Sequence, residues 1–272
     1  VLRQPFIFNY LIGGDKMKKS LVFLSVLLLL VCCNVGFAQD QPRDLVASLA
    51  QIPGLADSPD KGFMVDIVKA MDDVYPGNIK IMVAPFERSI RNVMDGKADF
   101  HMPTFRNPAV PESKLPYRFA AEPWGVVSLV IYSNKDKIIT KNMIDDALAK
   151  GGKFPYVIEL AGGVASNFPF PSVASNSAEQ SLQKVQNKRI DATIFGSETD
   201  LILKQIKLNA IHREHYKNFD NVLIISKGAK SVEMDKTLSD CLKKIKASGR
   251  LEEINKYIYF PYTEWQPANM GW

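Results

Sequence analysis

An α/β fold of two similar units, each a mainly parallel sheet flanked by helices, is predicted by three observations. Strand-like apolar runs alternate with segments of helical spacing from residue 44 onward, the alternation restarts after Tyr132, and long strand-like runs lie where one unit gives way to the other. The restart, with long strands between the units, predicts two lobes and not one sheet.

Asp44-Leu45-Val46-Ala47-Ser48-Leu49-Ala50 reads as the first strand, followed by a loop with Pro53, Gly54, Pro59 and Gly62. Met64, Ile67, Val68, Met71 and Val74 then recur at helical spacing until Pro76-Gly77 ends the helix. Ile79 to Val83 is a second strand, Phe86 to Met94 a second helix closed by the turn Asp95-Gly96-Lys97, and Asp99 to Met102 starts a third strand. A proline-rich stretch (Pro103, Pro108, Pro111, Pro116) leads to Trp124-Gly125 and a strong strand from Val126 to Tyr132.

In the second unit, Met143 to Leu148 is helical, Tyr156 to Leu160 a strand and Ala161-Gly162-Gly163 a loop. Leu182 and Val185 belong to a helix, with Ile190 in the turn after it. Ala192 to Phe195 is a strand and Leu201 to Ile206 a helix. Val222 to Ile225 reads as a second strand crossing between the units. Met234, Leu238, Cys241, Leu242 and Ile245 share one helical face, Gly249 stands at a cap position, and Leu251, Ile254 and Ile258 line a last helix. The aromatic tail (Tyr257, Tyr259, Phe260, Tyr262, Trp265, Trp272) is expected to pack across its own lobe.

Ahead of this region lies an export signal. Met17-Lys18-Lys19-Ser20 precedes an apolar run of 13 residues, Leu21 to Cys33, and Gly36 and Ala38 supply small residues at a cleavage site. The run falls short of the roughly 20 residues a membrane-spanning helix needs. Cleavage after Ala38 is expected. The alternative is a lipid anchor on Cys33, but Cys32 stands before it where a small residue is usual. Residues 1–16 precede this initiator-like methionine and are set aside.

Removing residues 1–38 takes Arg3, Lys16, Lys18, Lys19 and Asp15 from 34 basic and 29 acidic side chains, leaving 30 and 28, a net charge of +2. No basic run or basic-aromatic stripe suggests a nucleic-acid partner, and no second apolar stretch could span a bilayer. Of three cysteines only Cys241 remains, so the processed chain cannot form an internal disulfide. Its 234 residues suffice for one large core or two smaller ones.

A set of short motifs, in order, carries a family resemblance. Gly62-Phe63-Met64-Val65-Asp66-Ile67 resembles the glycine and aspartate-led helix of periplasmic amino-acid-binding proteins. Pro85-Phe86-Glu87-Arg88-Ser89 through Asp95-Gly96-Lys97-Ala98-Asp99 is similar to their second helix and its Gly-Lys-x-Asp turn. Lys188-Arg189-Ile190-Asp191-Ala192 resembles the Gly-Arg-x-Asp-Ala turn of their second lobe, and Leu242 through Gly249 to Tyr257 their C-terminal helix pair. No single motif is specific, but the ordered set spans nearly all of residues 40–260. It is similar to the family 3 extracellular solute-binding proteins.

The resemblance implies a two-lobed type II periplasmic-binding-protein fold with two hinge crossings. Residues 39–130 and 225–272 would form lobe 1 and residues 131–224 lobe 2, with the ligand in the cleft. It implies a monomer in the periplasm that delivers a small polar solute, an amino acid or other small carboxylate, to an ABC-type permease, without cofactor or catalysis. A sensory module docked on a membrane receptor is the second class, and an enzyme on the same fold, as in periplasmic dehydratases, the third. No Ser-His-Asp or Cys-His set supports the enzyme.

Family members that bind amino acids pair the α-carboxylate with an arginine and the α-ammonium with an aspartate, because a zwitterion desolvated in a cleft needs an opposite charge at each end. Both anchors are altered here. The aspartate position, five past Asp191, is Gly196, leaving Glu198 or Asp200 as substitutes from the same loop. The arginine position is Ser113, leaving Arg106, seven past Asp99, either as a relocated anion grip or as a solvated loop residue.

Phe86 matches a position whose ring lies against ligand, burial in lobe 1 being the alternative, and Thr104 matches a hydrogen-bonding position. Gly162 and Gly163 stand where hydroxyl donors are usual, as backbone donors or as a simple turn. Ser197 beside Glu198, His101 at the third strand and Trp124 at the first crossing complete the expected lining; a structural role is the alternative for His101. His212 and His215 have a metal-like spacing, but a metal needs three or four convergent ligands and none is expected.

Overall fold

The computed structural model describes residues 42–175 and 177–272. The segment read as an export signal, with Cys32, Cys33 and Ala38, lies outside the described residues. Among the described residues nine strands and seven helices follow one another, in the expected alternation but for the short strands Arg118–Phe119 and Val173–Ser175. In lobe 1, β1 (Leu45–Ala50) leads to α1 (Phe63–Asp72), β2 (Ile79–Ala84), α2 (Phe86–Met94), β3 (Phe100–Arg106) and β4 (Arg118–Phe119). The crossing strand β5 (Gly125–Asn134) opens lobe 2, with α3 (Lys141–Lys150), β6 (Ile158–Ala161), β7 (Val173–Ser175), α4 (Ala178–Gln186), β8 (Ala192–Gly196) and α5 (Thr199–Ile206). β9 (Ile211–Ile225) returns to lobe 1, where α6 (Ser231–Ala247) and α7 (Arg250–Ile258) complete it.

α1 shows how periodicity becomes packing. Met64, Ile67, Val68 and Met71 are fully buried against β1 and the last two helices, forming the main lobe-1 core with Leu45, Leu49, Phe100, Leu242 and Ile245. Its start depends on Gly62, whose φ of 134° only glycine adopts readily. A Cβ there would lie 2.6 Å from the Leu55 carbonyl carbon, so the loop is closed onto the helix start by a backbone contact no side chain could share.

One expectation is corrected by the hydrogen bonding. The strands do not form two separate sheets: they run β2-β1-β3-β9-β5-β8-β6-β7 in one ladder, with β4 also on β9. β1 pairs in parallel with β2 and β3, and β6 in parallel with β7 and β8, while β5 and β9 run antiparallel to each other through both lobes. The cores are largely separate: one cluster lies around β1 and the start of β3, and another between α2, β4 and the end of β9. Two others lie around β6 and β8 and between β5 and the helices α4 and α5, with Phe105 at the end of β3 joining the β6–β8 cluster. β9 is long because its polar first half, including His212, Arg213, Glu214 and His215, pairs with β5. β3 likewise runs on past Pro103, which sits where its register on β9 shifts between His101 and Thr104.

The C-terminal tail divides: Tyr257 stacks on Phe63 of lobe 1 at 5.3 Å, as expected, and only the residues beyond it depart from expectation. Tyr262 and Trp265 pack on Tyr132, Leu182, Leu203 and Ile211, which are lobe-2 residues. Arg213 Nη1 donates to the carbonyl oxygens of Thr263 and Trp265, and Gln266 Nε2 donates 2.7 Å to the Arg213 carbonyl. The tail thus leaves a lobe-1 helix and is held on lobe 2 by a buried guanidinium that needs acceptors.

Candidate functional site

In parallel α/β sheets, ligands meet the loops beyond the carboxyl ends of the strands. Here β2 and β3 deliver Phe86 and Thr104–Arg106 from lobe 1, and β6 and β8 deliver Gly162-Gly163 and Ser197-Glu198 from lobe 2. Two of these groups touch directly. A Cβ on Gly163, at φ +88°, would lie 2.8 Å from Ile90 Cδ1, 3.3 Å from Glu87 Cα and 3.7 Å from Phe86 Cδ1. Gly162 faces Glu87 in the same way, with Glu87 Oε2 at 3.8 Å. The glycines therefore let the β6 loop close onto the first turn of α2. Phe86 joins apolar clusters of both lobes across this contact.

His101 lies behind Phe86, edge-on to its ring at 5.4 Å, fully buried in lobe 1. Its Nε2 donates 3.0 Å to the Pro103 carbonyl, which leaves Nδ1 to accept from Ser89 Oγ at 2.7 Å. Burial pushes its pKa down to about 3, so the ring is neutral. Serine and histidine at this separation resemble a nucleophile and its base, but both are sealed from solvent and Ser89 is tied on to Ser48 at 2.9 Å.

Arg106 is engaged within lobe 1. Its Nη2 donates 2.6 Å to the Ala120 carbonyl and 3.4 Å to that of Ala121, with the guanidinium 5.8 Å from the Phe119 ring centre. Nε is buried without a partner. Ser113, at the family's arginine position, is exposed. Trp124 is buried in the lobe-1 core and borders a groove with Glu252, Asn255 and Lys256 of α7, away from Phe86 and the glycine loop.

On lobe 2, Ser197 Oγ donates to the Phe260 carbonyl of the tail. Asp200 is committed: Arg213 Nε donates 2.7 Å to its Oδ1, Tyr132 Oη donates 2.8 Å to the same oxygen, and Arg213 Nη2 holds Oδ2. Glu198 is the carboxylate left over. A Cβ built on Gly196 would overlap its carboxyl group, with Cδ at 2.5 Å. The Glu198 carboxylate therefore fills the space into which an aspartate side chain at 196 would project. Burial, with a smaller push from Asp200, raises its pKa to about 7.

Four residues at the lobe junction escape the sequence reading. Asn167, in the turn after the glycine loop, donates from Nδ2 to Thr104 Oγ1 at 3.3 Å and to the Phe105 carbonyl at 3.2 Å. Its Oδ1 accepts from Tyr117 Oη at 2.7 Å, and its main-chain oxygen from Asn107 Nδ2 at 2.8 Å. So Thr104 is a hydrogen-bonding residue at the junction, and its partner here is the protein itself. His215 contacts Asn218 Oδ1 at 2.9 Å and stacks on Tyr262, and among the described residues no cluster of three metal-binding side chains occurs.

No family model matches the chain, and no curated protein matches it. Its fold is nonetheless well represented among solved structures. A histidine kinase sensor domain with similarity to periplasmic binding proteins superposes with a TM-score of 0.62 at 14% identity, covering 80% of this chain and 97% of that one. The GluR0 ligand-binding core from Nostoc punctiforme, in complex with L-glutamate, gives 0.59 at 16% identity, covering 80% and 100%. The substrate-binding protein of an amino acid ABC transporter gives 0.55 at 17% identity, covering 79% and 98%. The chain has the two-lobed type II periplasmic-binding-protein fold. At this fold level it is similar to transport proteins and to a sensor domain alike.

Proposed function

We propose that the chain is an exported solute-binding protein that encloses a small polar solute, an amino acid or a related molecule, between its lobes and passes it to the permease of an ABC transporter. The observation that carries this reading is the Glu198 carboxylate lodged in the side-chain space of Gly196, at the carboxyl end of β8. An ionisable group held there with no cationic partner among the described residues is suited to a cationic group on a solute, and an ammonium group meets that need. The protein acts as a monomer in the periplasm, exported by residues 17–38, and binds without transforming its ligand. Among the described residues no helix is long and apolar enough to cross a membrane.

A thermal-shift panel of amino acids, their amides, small carboxylates and polyamines tests the reading. A solute at a hundredfold excess over Kd adds about 2.7 kcal/mol, which for this size is a rise of about 5–10 °C. A panel in which no member moves the transition counts against the proposal. The second reading, a ligand-binding module for a membrane receptor, is favoured by the likeness to a kinase sensor domain. Capture of the protein on its permease, or on a receptor, separates the two.

Glu198 also makes a pH prediction without solute. Its folded pKa, about 7, lies above the usual 4.5, so the folded state holds the proton more tightly than the unfolded chain. This contribution is fully present below about pH 4.5 and is lost as pH rises through 7. Relative to Glu198→Gln, the wild type should lose about 1–3 kcal/mol between pH 5 and 8 in urea unfolding. Parallel pH profiles for the two proteins would show that the carboxyl group does not titrate in this way.

A further inference from the structure

The lobe junction is occupied by the protein's own side chain, and the manner of its binding describes a ligand. We infer that Asn167 is an intramolecular occupant of the lobe-1 half of the cleft, keeping the lobes closed without solute, and that the solute group able to replace it is a neutral primary amide, not a carboxylate. The inference rests on the solute-binding reading only for the second part.

The geometry is that of a fully satisfied amide. Thr104, Asn107, Tyr117 and Asn167 are all at most 5% exposed, so each polar atom needs a partner from the protein. The Phe105 carbonyl can only accept, which fixes the Asn167 nitrogen toward it and the oxygen toward Tyr117 Oη. Asn107 is oriented in turn, because its Oδ1 accepts from Ala109 N at 3.0 Å and its Nδ2 is left to meet the Asn167 main chain. A carboxylate in this place would set oxygen against the Phe105 carbonyl, with no proton between them.

Packing supports the same closed arrangement. Phe168, next to Asn167, is edge-on to Phe105 at 5.5 Å, and Phe105 also lies 5.1 Å from Phe219, so the end of β3 is embedded in the lobe-2 cluster. Phe105 and Thr104 alternate along β3, one giving the latch its apolar contact and the other its polar one. A solute must therefore displace the Asn167–Phe168 turn, and its apparent affinity is reduced by the fraction of time that turn is away.

Chemical rescue tests this on the processed chain with no knowledge of the natural solute. Asn167→Ala should open the lobes, giving a larger radius of gyration by small-angle X-ray scattering than the wild type. Acetamide, which restores the missing group, should return that variant to the wild-type radius, whereas equimolar acetate should not. Asn167→Asp, nearly the same size, should open at neutral pH like the alanine variant. Any solute from the thermal panel should bind Asn167→Ala about tenfold more tightly than the wild type.

A wild type already open in solution, or an Asn167→Ala protein as compact as the wild type, overturns the latch. Rescue by acetate as well as acetamide, or a closed Asn167→Asp, overturns the amide assignment. None of the scattering results depends on a solute being known, so a panel without hits would count against the transport reading alone.

Discussion

Replacing Arg213 by alanine is expected to lower the free energy of unfolding by about 3–5 kcal/mol, the usual consequence of removing one member of a buried ion pair. The guanidinium is fully buried and spends its donors on Asp200, Thr263 and Trp265. Trp265 and Tyr262 cover it, their ring centres 4.0 and 5.0 Å away. Without it Asp200 keeps only the Tyr132 hydroxyl, and two tail carbonyls lose their donor. Asp200→Asn removes the charge and keeps a polar partner, so it should cost less. Urea unfolding measures both, and limited proteolysis should cut residues 259–272 sooner in Arg213→Ala. A loss below about 1 kcal/mol would show that the tail is not fastened by this pair.

The second large effect concerns affinity. Glu198→Ala should weaken binding of a cationic solute by about thirtyfold or more, since losing one partner of a desolvated charge pair costs roughly 2–5 kcal/mol and 1.4 kcal/mol is a factor of ten. Glu198→Gln should also fall short, because an amide hydrogen-bonds an ammonium group but does not balance its charge. Wild-type affinity should rise from pH 6 to 8 as the carboxyl group loses its proton. Calorimetry on a solute from the thermal panel reads all three, and unchanged affinity in Glu198→Ala would remove the residue from the site. The variant should still fold, its stability differing from the wild type only through the pH dependence that the raised Glu198 pKa gives.

The parts of the fold that the sequence made legible are those where one periodicity dominates. α2 begins and ends at the predicted Phe86 and Met94, and the buried face of α1 is the predicted one. The first half of β9 was hidden, because His212, Arg213 and Glu214 carry no apolar alternation and are held by pairing with β5 and by the tail. The short strands β4 and β7 were hidden for a similar reason: two or three residues give no period.

Within the site, counting along the chain reached Glu198 and Asp200 together, and only the Arg213 pairing separates a committed carboxylate from an available one. Arg106 was visible as a charge, but its acceptors, the Ala120 and Ala121 carbonyls, lie across a proline-rich loop that no spacing rule orders. Asn167 gave no signal at all. Its partners Thr104, Phe105, Asn107 and Tyr117 are 50 to 63 residues away in sequence, and a polar loop residue looks the same whether it faces water or closes a cleft.

The most direct measurement is a crystal structure of the processed protein with the panel solute that gives the largest thermal shift. The account predicts that solute between the lobes, its cationic group within hydrogen-bonding distance of the Glu198 carboxylate, about 2.7–2.9 Å. A solute bound outside the cleft, or inside it with Glu198 facing away, would contradict the account.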